Sequence, residues 1–289
     1  MKVLVTGASG LLGRYLARSV PDGVEAEFTW ATAWQPWCRH QLDVADASQV
    51  GYVFAKVKPD AVVHMAGVGS VDWCEANYRT AWAVNVGGTK NVLAQRVPAM
   101  LTSTNAVYSG EDPPYAEDAP REPVNAYGIT RRHAEDAVLE AGGSAVRLFL
   151  LYGWEPPGAR GNWASSAARR LAAGERLRVV DDVFYQPTYA ADAAEVIWKA
   201  LSGVEQRQIN VAGEDRVSLF TFITQLARSF GAYENLVEPC SIREFPSLAP
   251  RPGDTTYDLS LARQLGLSCR GIEEGLEAMY WEGGRRERL

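Results

Sequence analysis

The sequence predicts an α/β fold, with a doubly wound parallel sheet and a smaller, mixed C-terminal lobe. Over the first half of the 289 residues, short apolar runs alternate with helical patterns, which is typical of buried strands covered by helices on both faces. A glycine-rich turn directly follows the first apolar run, and the alternation ends after Tyr152-Gly153. We therefore predict a sheet domain over residues 1–152 and a smaller lobe over residues 153–289.

The strands and helices of the predicted sheet domain alternate along the chain. Apolar runs predict strands at residues 3–6, 24–29, 61–66, 99–103 and 145–151. Helical patterns lie at residues 11–19, 47–57, 78–96 and 126–141, and Asp46 is a suitable N-cap for the second of these helices. Right-handed crossovers between such strands give a sheet of the Rossmann type. In the smaller lobe, a helix at 192–201 is a candidate to pack back on the first domain.

Composition and charge exclude several classes of function. Hydrophobic residues make up 47% and charged residues 22% of the chain, as in ordinary soluble globular proteins. The formal net charge of −6 argues against a basic surface that binds DNA or RNA. No apolar run is long enough to cross a bilayer, and the first strand begins too early to leave room for a signal peptide. We therefore expect a cytoplasmic protein with no membrane or nucleic-acid partner.

Cysteines and histidines give no metal-binding pattern. Cys38, Cys74, Cys240 and Cys269 are far apart and form no C-x-x-C pair, so reduced thiols are expected. His64 lies on an apolar strand and is interpreted as a hydrogen-bonded core residue. The other two histidines have no cysteine, histidine or carboxylate at ligand spacing, so no metal site is predicted.

The glycine-rich turn is the first candidate binding site. Glycines let the backbone approach a pyrophosphate, and the N–H groups and dipole of the following helix stabilise its negative charge. A tight turn without a ligand is the alternative, but the position directly after the first strand favours a cofactor site. The predicted cofactor-binding residues of this turn are Gly7, Ser9, Gly10, Leu11, Leu12 and Gly13.

The end of the second predicted strand bears on the choice between NADPH and NADH. It contains no carboxylate of the kind that binds the adenosine ribose of NADH. Because this absence removes repulsion toward a 2′-phosphate, NADP(H) is favoured and NAD(H) stays an alternative. Arg14 and Arg39 are candidates to contact that phosphate, or else solvated surface arginines. Trp30, Trp34 and Trp37 crowd the following loop, where they either cover the adenine or plug the sheet edge.

A tyrosine, a cation and a hydroxyl form the candidate catalytic set. Tyr127 and Arg131 share one face of a predicted helix, and Thr104 ends the preceding strand, where α/β folds bind ligands. The set resembles that of the short-chain dehydrogenases/reductases, in which the tyrosine exchanges a proton with a carbonyl during hydride transfer. A nearby cation lowers the pKa of a tyrosine, which is about 10 when free. The alternatives are a Tyr127 packed at a lobe interface and an Arg131 in solvent beside Arg132.

Further motifs extend along the chain beyond this set. They are Val71-Asp72-Trp-Cys74-Glu75, Ala83-Val-Asn85-Val-Gly-Gly-Thr89-Lys-Asn91, Ser103-Thr104-x-x-Val107-Tyr108, Pro114-Tyr115-x-Glu117, Pro123-x-Asn125-x-Tyr127-Gly128, Gln186-Pro187-Thr188 and Arg251-Pro252. Together they resemble the extended short-chain dehydrogenases/reductases, and among these the dTDP-4-dehydrorhamnose reductase (RmlD-like) family. The resemblance spans about 250 residues, and its motifs are specific in combination.

This resemblance implies an NAD(P)H-dependent reductase of a keto sugar nucleotide. Dimers are common in the family, which makes a homodimer one option, but no stripe of residues in this sequence identifies an interface. The first domain would bind NAD(P) and the smaller lobe the nucleotide sugar. Catalytic roles are implied for Thr104, Tyr127 and Arg131, with Asn85 in the supporting network. The cofactor contacts implied beyond the turn are Arg39, Asp43, Val44, Ala66, Gly67, Tyr127 and Arg131.

The substrate contacts implied by the resemblance are Val71, Asp72, Thr104, Asn105, Asn162 and Arg251. For Asn162 the alternative is a hydrogen bond within a loop, and for Arg251 a surface charge. Arg147 is interpreted as structural.

Two positions depart from the family pattern. Asn105 stands where the reductases carry aspartate, and Arg131 stands where they carry lysine. Together they suggest a different carbonyl substrate or a reduced catalytic role. One alternative is a non-catalytic NADP-binding regulatory subunit, since the beta subunit of methionine adenosyltransferase resembles the same reductases. A second is an NAD-dependent sugar-nucleotide epimerase or dehydratase, but the acidic residues typical of those enzymes are missing, so reduction is favoured.

Overall fold

The computed structural model describes residues 1–159, 161–203, 205, 207–245 and 247–284. Its strands are β1 (Lys2–Thr6), β2 (Glu25–Trp30), β3 (Cys38–Gln41), β4 (Ala61–His64), β5 (Ala99–Thr104), β6 (Ser144–Leu148), β7 (Leu151–Tyr152), β8 (Leu177–Val180), β9 (Phe184–Tyr185), β10 (Thr188–Tyr189), β11 (Gln208–Val211), β12 (Val217–Ser218) and β13 (Val237–Cys240). Seven of them form a central parallel sheet in the order β11-β6-β5-β4-β1-β2-β3. The pairs β7–β10, β9–β12 and β8–β13 form small separate sheets.

The helices alternate with these strands. They are α1 (Leu11–Arg18), α2 (Ala47–Val57), α3 (Val71–Ala76), α4 (Tyr78–Trp82), α5 (Gly88–Leu93), α6 (Ala126–Glu140), α7 (Trp163–Ala172), α8 (Ala190–Gly203), α9 (Leu219–Ser229), α10 (Ser260–Gln264) and α11 (Ile272–Gly284). A π-helical turn at Ala83–Gly87 joins α4 to α5. Within the described part of the chain, no helix is both long enough and apolar enough to span a membrane.

Both faces of the central sheet are buried, because successive side chains of a strand point to opposite faces. In β1, Val3 and Val5 pack in one core and Leu4 packs in the other. Residues of α1 and α8 cover the first face, and residues of α2, α5 and α6 cover the second. The predicted class, a doubly wound parallel α/β sheet, is therefore confirmed.

The predicted helix at 78–96 is wrong in its continuity. The structure divides it into α4, the π-helical turn and α5, which ends at Leu93. Asn85 lies in that turn and is fully buried. A π turn inserts an extra residue into a helix and is common at functional sites. Here the irregular turn carries Asn85, whose side chain bonds to Val68 in the loop after β4.

The predicted strand at 145–151 is also interrupted. β6 ends at Leu148, and Leu150 has a φ of +30° before β7 begins. Two strands of the central sheet, β3 and β11, were not predicted. β11 comes late in the chain and pairs with β6. In addition, Trp198 of α8 donates a hydrogen bond to the Leu16 carbonyl of α1 at 3.2 Å. The domain boundary at residues 152 and 153 stays a prediction.

Glu282 ties α11 to α1. Its carboxylate accepts hydrogen bonds from Arg14 at 2.7 Å, Tyr15 at 2.6 Å and Arg18 at 2.6 Å. Tyr189 donates a further bond to it at 2.9 Å. One side chain of the last described helix therefore fixes the helix that follows the glycine-rich turn.

Candidate active site

The turn between β1 and α1 has the properties of a phosphate site. Gly7 has a φ of +71°, and a Cβ there would lie 2.5 Å from the Ala66 Cα. A Cβ at Gly13 would overlap the carbonyl of Ala8, so both glycines are required by close backbone packing. Gly10 differs, because a Cβ there would meet no atom within 4 Å and no described side chain caps α1. The first N–H groups of α1 are therefore available to an anion.

A cavity of about 460 Å³ lies between this turn and the carboxyl ends of the central strands. That edge is where open parallel sheets bind their ligands. The predicted site residues that line the cavity are Gly7, Gly10, Leu11, Leu12, Gly13, Gly67, Thr104, Asn105, Tyr127 and Arg131. The structure thus brings most of the predicted phosphate turn and three members of the predicted catalytic set together.

Thr104 ends β5 and belongs to a chain of side-chain hydrogen bonds. Its Oγ1 accepts from the Ala106 N–H at 3.2 Å and donates to Asn105 Oδ1 at 3.3 Å. Asn105 Nδ2 donates in turn to Thr255 Oγ1 at 2.7 Å. Asparagine therefore joins the catalytic-set hydroxyl to a residue far along the chain. An aspartate at this position could accept from Thr255 but could not donate to it.

Tyr127 lies in the first turn of α6 and is half-buried. Asn125 and Glu75 cap this helix: Asn125 Oδ1 accepts from the Gly128 N–H and Glu75 Oε2 from the Ala126 N–H, both at 2.9 Å. The phenol oxygen would lie 4.0 Å from a Cβ on Gly69. It forms no hydrogen bond with any described residue, so its donor and acceptor sites are available to a ligand.

Arg131 is only 4% exposed and lines the same cavity. Its Nη2 donates to the main-chain carbonyl of Thr102 in β5. Its Nε is buried and has no partner among the described residues. The alternative of a solvated arginine beside Arg132 is therefore wrong. The guanidinium charge lies inside the site, one helical turn from Tyr127.

Asn85 connects the loop after β4 to α6 without lining the cavity. Its Oδ1 accepts from the Val68 N–H at 2.8 Å, and its Nδ2 donates to the Val68 carbonyl at 3.2 Å and to Thr130 Oγ1 at 2.9 Å. Thr130 Oγ1 donates to the Tyr127 carbonyl at 2.8 Å. The amide therefore fixes the loop of residues 67–69 relative to the helix that carries Tyr127 and Arg131.

His64 is a buried, neutral histidine beside the site. Its ring bonds Thr6 Oγ1 through Nδ1 at 2.7 Å and Thr89 Oγ1 through Nε2 at 3.1 Å. Because Thr89 donates to the Asn85 carbonyl, it must accept from Nε2–H, which fixes the tautomer. Burial first, and the charge of Arg131 second, lower the pKa of His64 to about 3. No group of three or more histidine, cysteine, aspartate or glutamate residues is placed to hold a metal ion within the described residues.

Asp72 and Arg251 meet at the surface, with Val71 adjacent at the start of α3. Asp72 accepts from Arg251 Nη2 at 2.9 Å, from the Ala249 N–H at 3.1 Å and from Ser247 Oγ at 2.9 Å. The hydrogen bond from Ala249 is the main reason that the pKa of Asp72 is lowered. None of the three predicted substrate contacts lines the cavity, although the structure brings them together.

Asn162 caps α7 and does not line the cavity. Its Oδ1 accepts from the N–H groups of Ala164 at 3.1 Å and Ser165 at 3.2 Å, and its Nδ2 donates to the Gly153 carbonyl at 2.7 Å. The predicted substrate contact is thus used as a helix cap, for which asparagine is well suited. The alternative, a hydrogen bond within a loop, describes it better.

The two arginines considered for a 2′-phosphate lie elsewhere. Arg14 is buried, pairs with Glu282 and donates to the Trp154 carbonyl, so a phosphate contact by Arg14 is wrong. Arg39 lies on the edge strand β3, 3.8 Å from Glu27, with 73% of its side chain exposed. It does not line the cavity.

Four more predicted cofactor contacts do not line the cavity. Ser9 lies within the turn, and Ala66 packs against Gly7. Asp43 is exposed and accepts from the Ala45 N–H at 2.9 Å, while Val44 is buried against Gly88.

The tryptophan-rich loop supports the turn from outside. Trp37 Nε1 donates to the Ala8 carbonyl at 2.9 Å, and Trp30 packs against the core. Trp34 is 58% exposed and donates to the Cys38 carbonyl at 3.2 Å. Trp30 and Trp37 therefore fit the alternative in which these tryptophans fill the edge of the sheet.

Sequence reasoning missed eight of the residues that line the cavity, five of them apolar side chains. The missed lining residues are Met65, Val68, Gly69, Thr102, Ser103, Leu148, Leu150 and Leu151. Leu150 lies in the left-handed region, which is unusual for leucine and marks the break between β6 and β7. No local signal separates this break from a continuous buried strand, because residues 148–151 on both sides of it are all apolar.

Arg147 is fully buried in a network, as its structural interpretation expected. It forms an ion pair with Glu135 at 2.9 Å and donates to Tyr108 Oη at 2.7 Å. None of these three residues lines the cavity.

Comparison with known proteins assigns the chain to a family. The family model described as "RmlD substrate binding domain" matches residues 1–284. A dTDP-4-dehydrorhamnose reductase of Mycobacterium tuberculosis is 31% identical over 92% of this chain and 87% of its own length. A dTDP-4-keto-6-deoxy-D-glucose reductase of Streptomyces niveus is 34% identical over 92% of this chain and 91% of its own.

A solved structure shares the whole architecture. The dTDP-4-dehydrorhamnose reductase of Bacillus anthracis, crystallised in complex with NADP, superposes with a TM-score of 0.85 at 27% identity. The superposition covers 97% of this chain and 99% of that one.

Proposed function

The chain belongs to the RmlD substrate binding domain family, and from this membership we infer that it is an NAD(P)H-dependent reductase of a keto sugar nucleotide. The observation that carries this inference is the single cavity shared by the glycine-rich turn, Thr104, Tyr127 and Arg131. A reductase needs its cofactor, a proton donor and a carbonyl within one enclosed space.

The cavity fits a nicotinamide dinucleotide. The uncapped N-terminus of α1 and the open space at Gly10 accommodate a pyrophosphate against backbone N–H groups. NADP(H) is favoured because the Bacillus anthracis relative was crystallised with NADP, and NAD(H) stays an alternative. Arg131 and Tyr127 would face the nicotinamide end, since they line the same cavity from α6. When bound, the reduced nicotinamide supplies the hydride.

In this proposal Tyr127 transfers the proton. Its phenol oxygen makes no hydrogen bond to a described residue, so it can donate to the carbonyl oxygen of a substrate. Thr104, at the end of β5, would orient that oxygen by turning its one hydroxyl proton from Asn105 Oδ1 toward the carbonyl. The buried charge of Arg131 stabilises the phenolate left behind. Asn85 holds the loop of residues 67–69 against α6, because its side chain bonds both Val68 and Thr130.

The substrate is proposed as a 4-keto sugar nucleotide, by analogy with the two relatives whose names specify such reductions. Asp72 and Arg251 are proposed to contact its distal part, which would require their surface ion pair to rearrange. A homodimer and a cytoplasmic location are part of the same proposal.

Turnover can be tested directly. Purified protein is mixed with NADPH and a panel of 4-keto sugar nucleotides, and the loss of NADPH absorbance is followed. Tyr127→Phe should lower kcat by about 10²- to 10⁴-fold, the range for a lost general acid, while NADPH still binds. Conversion without net cofactor consumption would support an epimerase instead. NADPH binding without turnover by the wild-type protein would support the regulatory alternative.

A further inference from the structure

Gly67 has no conformational reason to be glycine. Its φ does not lie in the left-handed region, unlike that of Gly7. A Cβ built on Gly67 would lie 2.9 Å from Arg131 Nη1 and 2.9 Å from Asn85 Oδ1. Both distances are shorter than real Cβ contacts, so an alanine here would displace one of the two side chains.

Asn85 cannot easily yield to that Cβ. Its Oδ1 accepts from the Val68 N–H at 2.8 Å, and its Nδ2 bonds both the Val68 carbonyl and Thr130 Oγ1. A shift of the amide would break bonds of a fully buried polar group, which is costly. The displacement therefore falls on Arg131.

Arg131 is confined by its own contacts. The guanidinium is nearly fully buried, and its Nη2 donates to the Thr102 carbonyl. The second branch of the fork, Nη1, occupies the space beside Gly67. A lysine ends in one compact ammonium and has no second branch. The space that Gly67 leaves open is therefore needed by an arginine at position 131, and a lysine does not need it.

We propose that Gly67 is a positioning residue that allows this site to carry an arginine, and that residues 67 and 131 are energetically coupled. The inference rests on the proposed function, in which the charge of Arg131 acts beside Tyr127. Moving the guanidinium would shift its charge within the cavity, which weakens both cofactor binding and support of the phenolate. The substitution of Arg131 for lysine is thus matched by a second position in the loop after β4.

The test compares wild type, Gly67→Ala, Arg131→Lys and the double variant. The NADPH dissociation constant is measured by fluorescence titration, kcat is measured with the best 4-keto sugar nucleotide, and thermal unfolding is recorded for each protein. Gly51→Ala is the matched control, because a Cβ there meets no atom within 4 Å and Gly51 lies on α2, away from the cavity. It should leave binding and turnover unchanged.

Gly67→Ala is expected to have a large effect only when residue 131 is arginine. Gly67→Ala should raise the NADPH dissociation constant about fivefold or more when residue 131 is arginine, and less than about twofold when it is lysine. If Gly67→Ala alone unfolds, recovery of the melting temperature in the double variant supports the coupling, and no recovery overturns it. An equal loss in both backgrounds would also overturn it, since Gly67 would then serve the cofactor itself.

The two proposals can fail separately. Background-dependent NADPH binding without turnover by the wild type would leave the coupling in place and refute the reductase activity. Turnover by the wild type with equal losses in both backgrounds would refute only the coupling.

Discussion

Lowering the pH from about 7 to about 5 should destabilise this protein through one buried side chain, His64. Burial, and to a smaller extent the charge of Arg131, lower its pKa from 6.5 to about 3. Between these two values the unfolded chain binds a proton that the folded chain does not, so the free energy of unfolding falls as the pH falls. The stabilisation is complete above the unfolded pKa and is lost progressively as the pH falls toward the folded pKa.

The size of the effect follows from the same two values. A pH of 5 lies below the unfolded pKa of 6.5 by 6.5 − 5, or 1.5 units. Each unit corresponds to about 1.4 kcal/mol, so the loss is about 2 kcal/mol. That is a large part of a typical unfolding free energy of about 5–15 kcal/mol.

Urea unfolding at both pH values measures this loss. His64→Asn is the reference, because an amide keeps a donor and an acceptor for Thr6 and Thr89 but does not titrate. The variant should lose about 2 kcal/mol less than the wild type between the two pH values. All other titrating groups are common to both proteins and cancel in the difference.

One result would refute this reasoning. Equal losses for wild type and His64→Asn would mean that His64 is not held neutral in the folded protein.

Three further outcomes are expected from the site geometry. Gly10→Ala should weaken NADPH binding about tenfold or more and leave the melting temperature unchanged, because its Cβ meets no protein atom. Gly13→Ala should prevent folding, because its Cβ overlaps the Ala8 carbonyl. NADPH titration and circular dichroism distinguish the two variants, and equal melting temperatures would contradict the prediction. Asn162→Ala should lower the free energy of unfolding in denaturant by about 1 kcal/mol, because α7 loses its N-cap, and it should leave KM for the sugar nucleotide unchanged. A raised KM would support the substrate role of Asn162 instead. Asn105→Asp should keep the contact with Thr255 and change kcat less than about threefold in steady-state assays, and a larger loss would show that the donated hydrogen bond matters.

The sequence predicted the central fold because its signals are local. The first strand, the glycine turn and α1 follow directly from the apolar run and from glycines that the packing requires. Tyr127 and Arg131 share a cavity because four-residue spacing on a helix is a geometric constraint. These features need no knowledge of distant residues.

The remaining features depend on distant partners, which local patterns do not reveal. Arg14 was considered for a phosphate, but its carboxylate partner Glu282 is 268 residues away. β11 is a short strand, and it joins the central sheet by pairing Gln208 with Ala145 of β6, which lies 63 positions earlier in the chain. The sequence did not decide whether the Arg131 side chain lies in solvent or in the site. It is buried because α6 packs against β5, where its guanidinium donates to the Thr102 carbonyl.

The carboxylate of Glu282 has a consequence for how the protein is made. The ribosome adds this residue 268 positions after Arg14, yet the two side chains form an ion pair at 2.7 Å. The helix behind the phosphate turn therefore reaches its final state only when almost all of the described chain has emerged. A shortened version intended as a minimal cofactor module should include residue 282, or its first helix will lack the contact that fixes it.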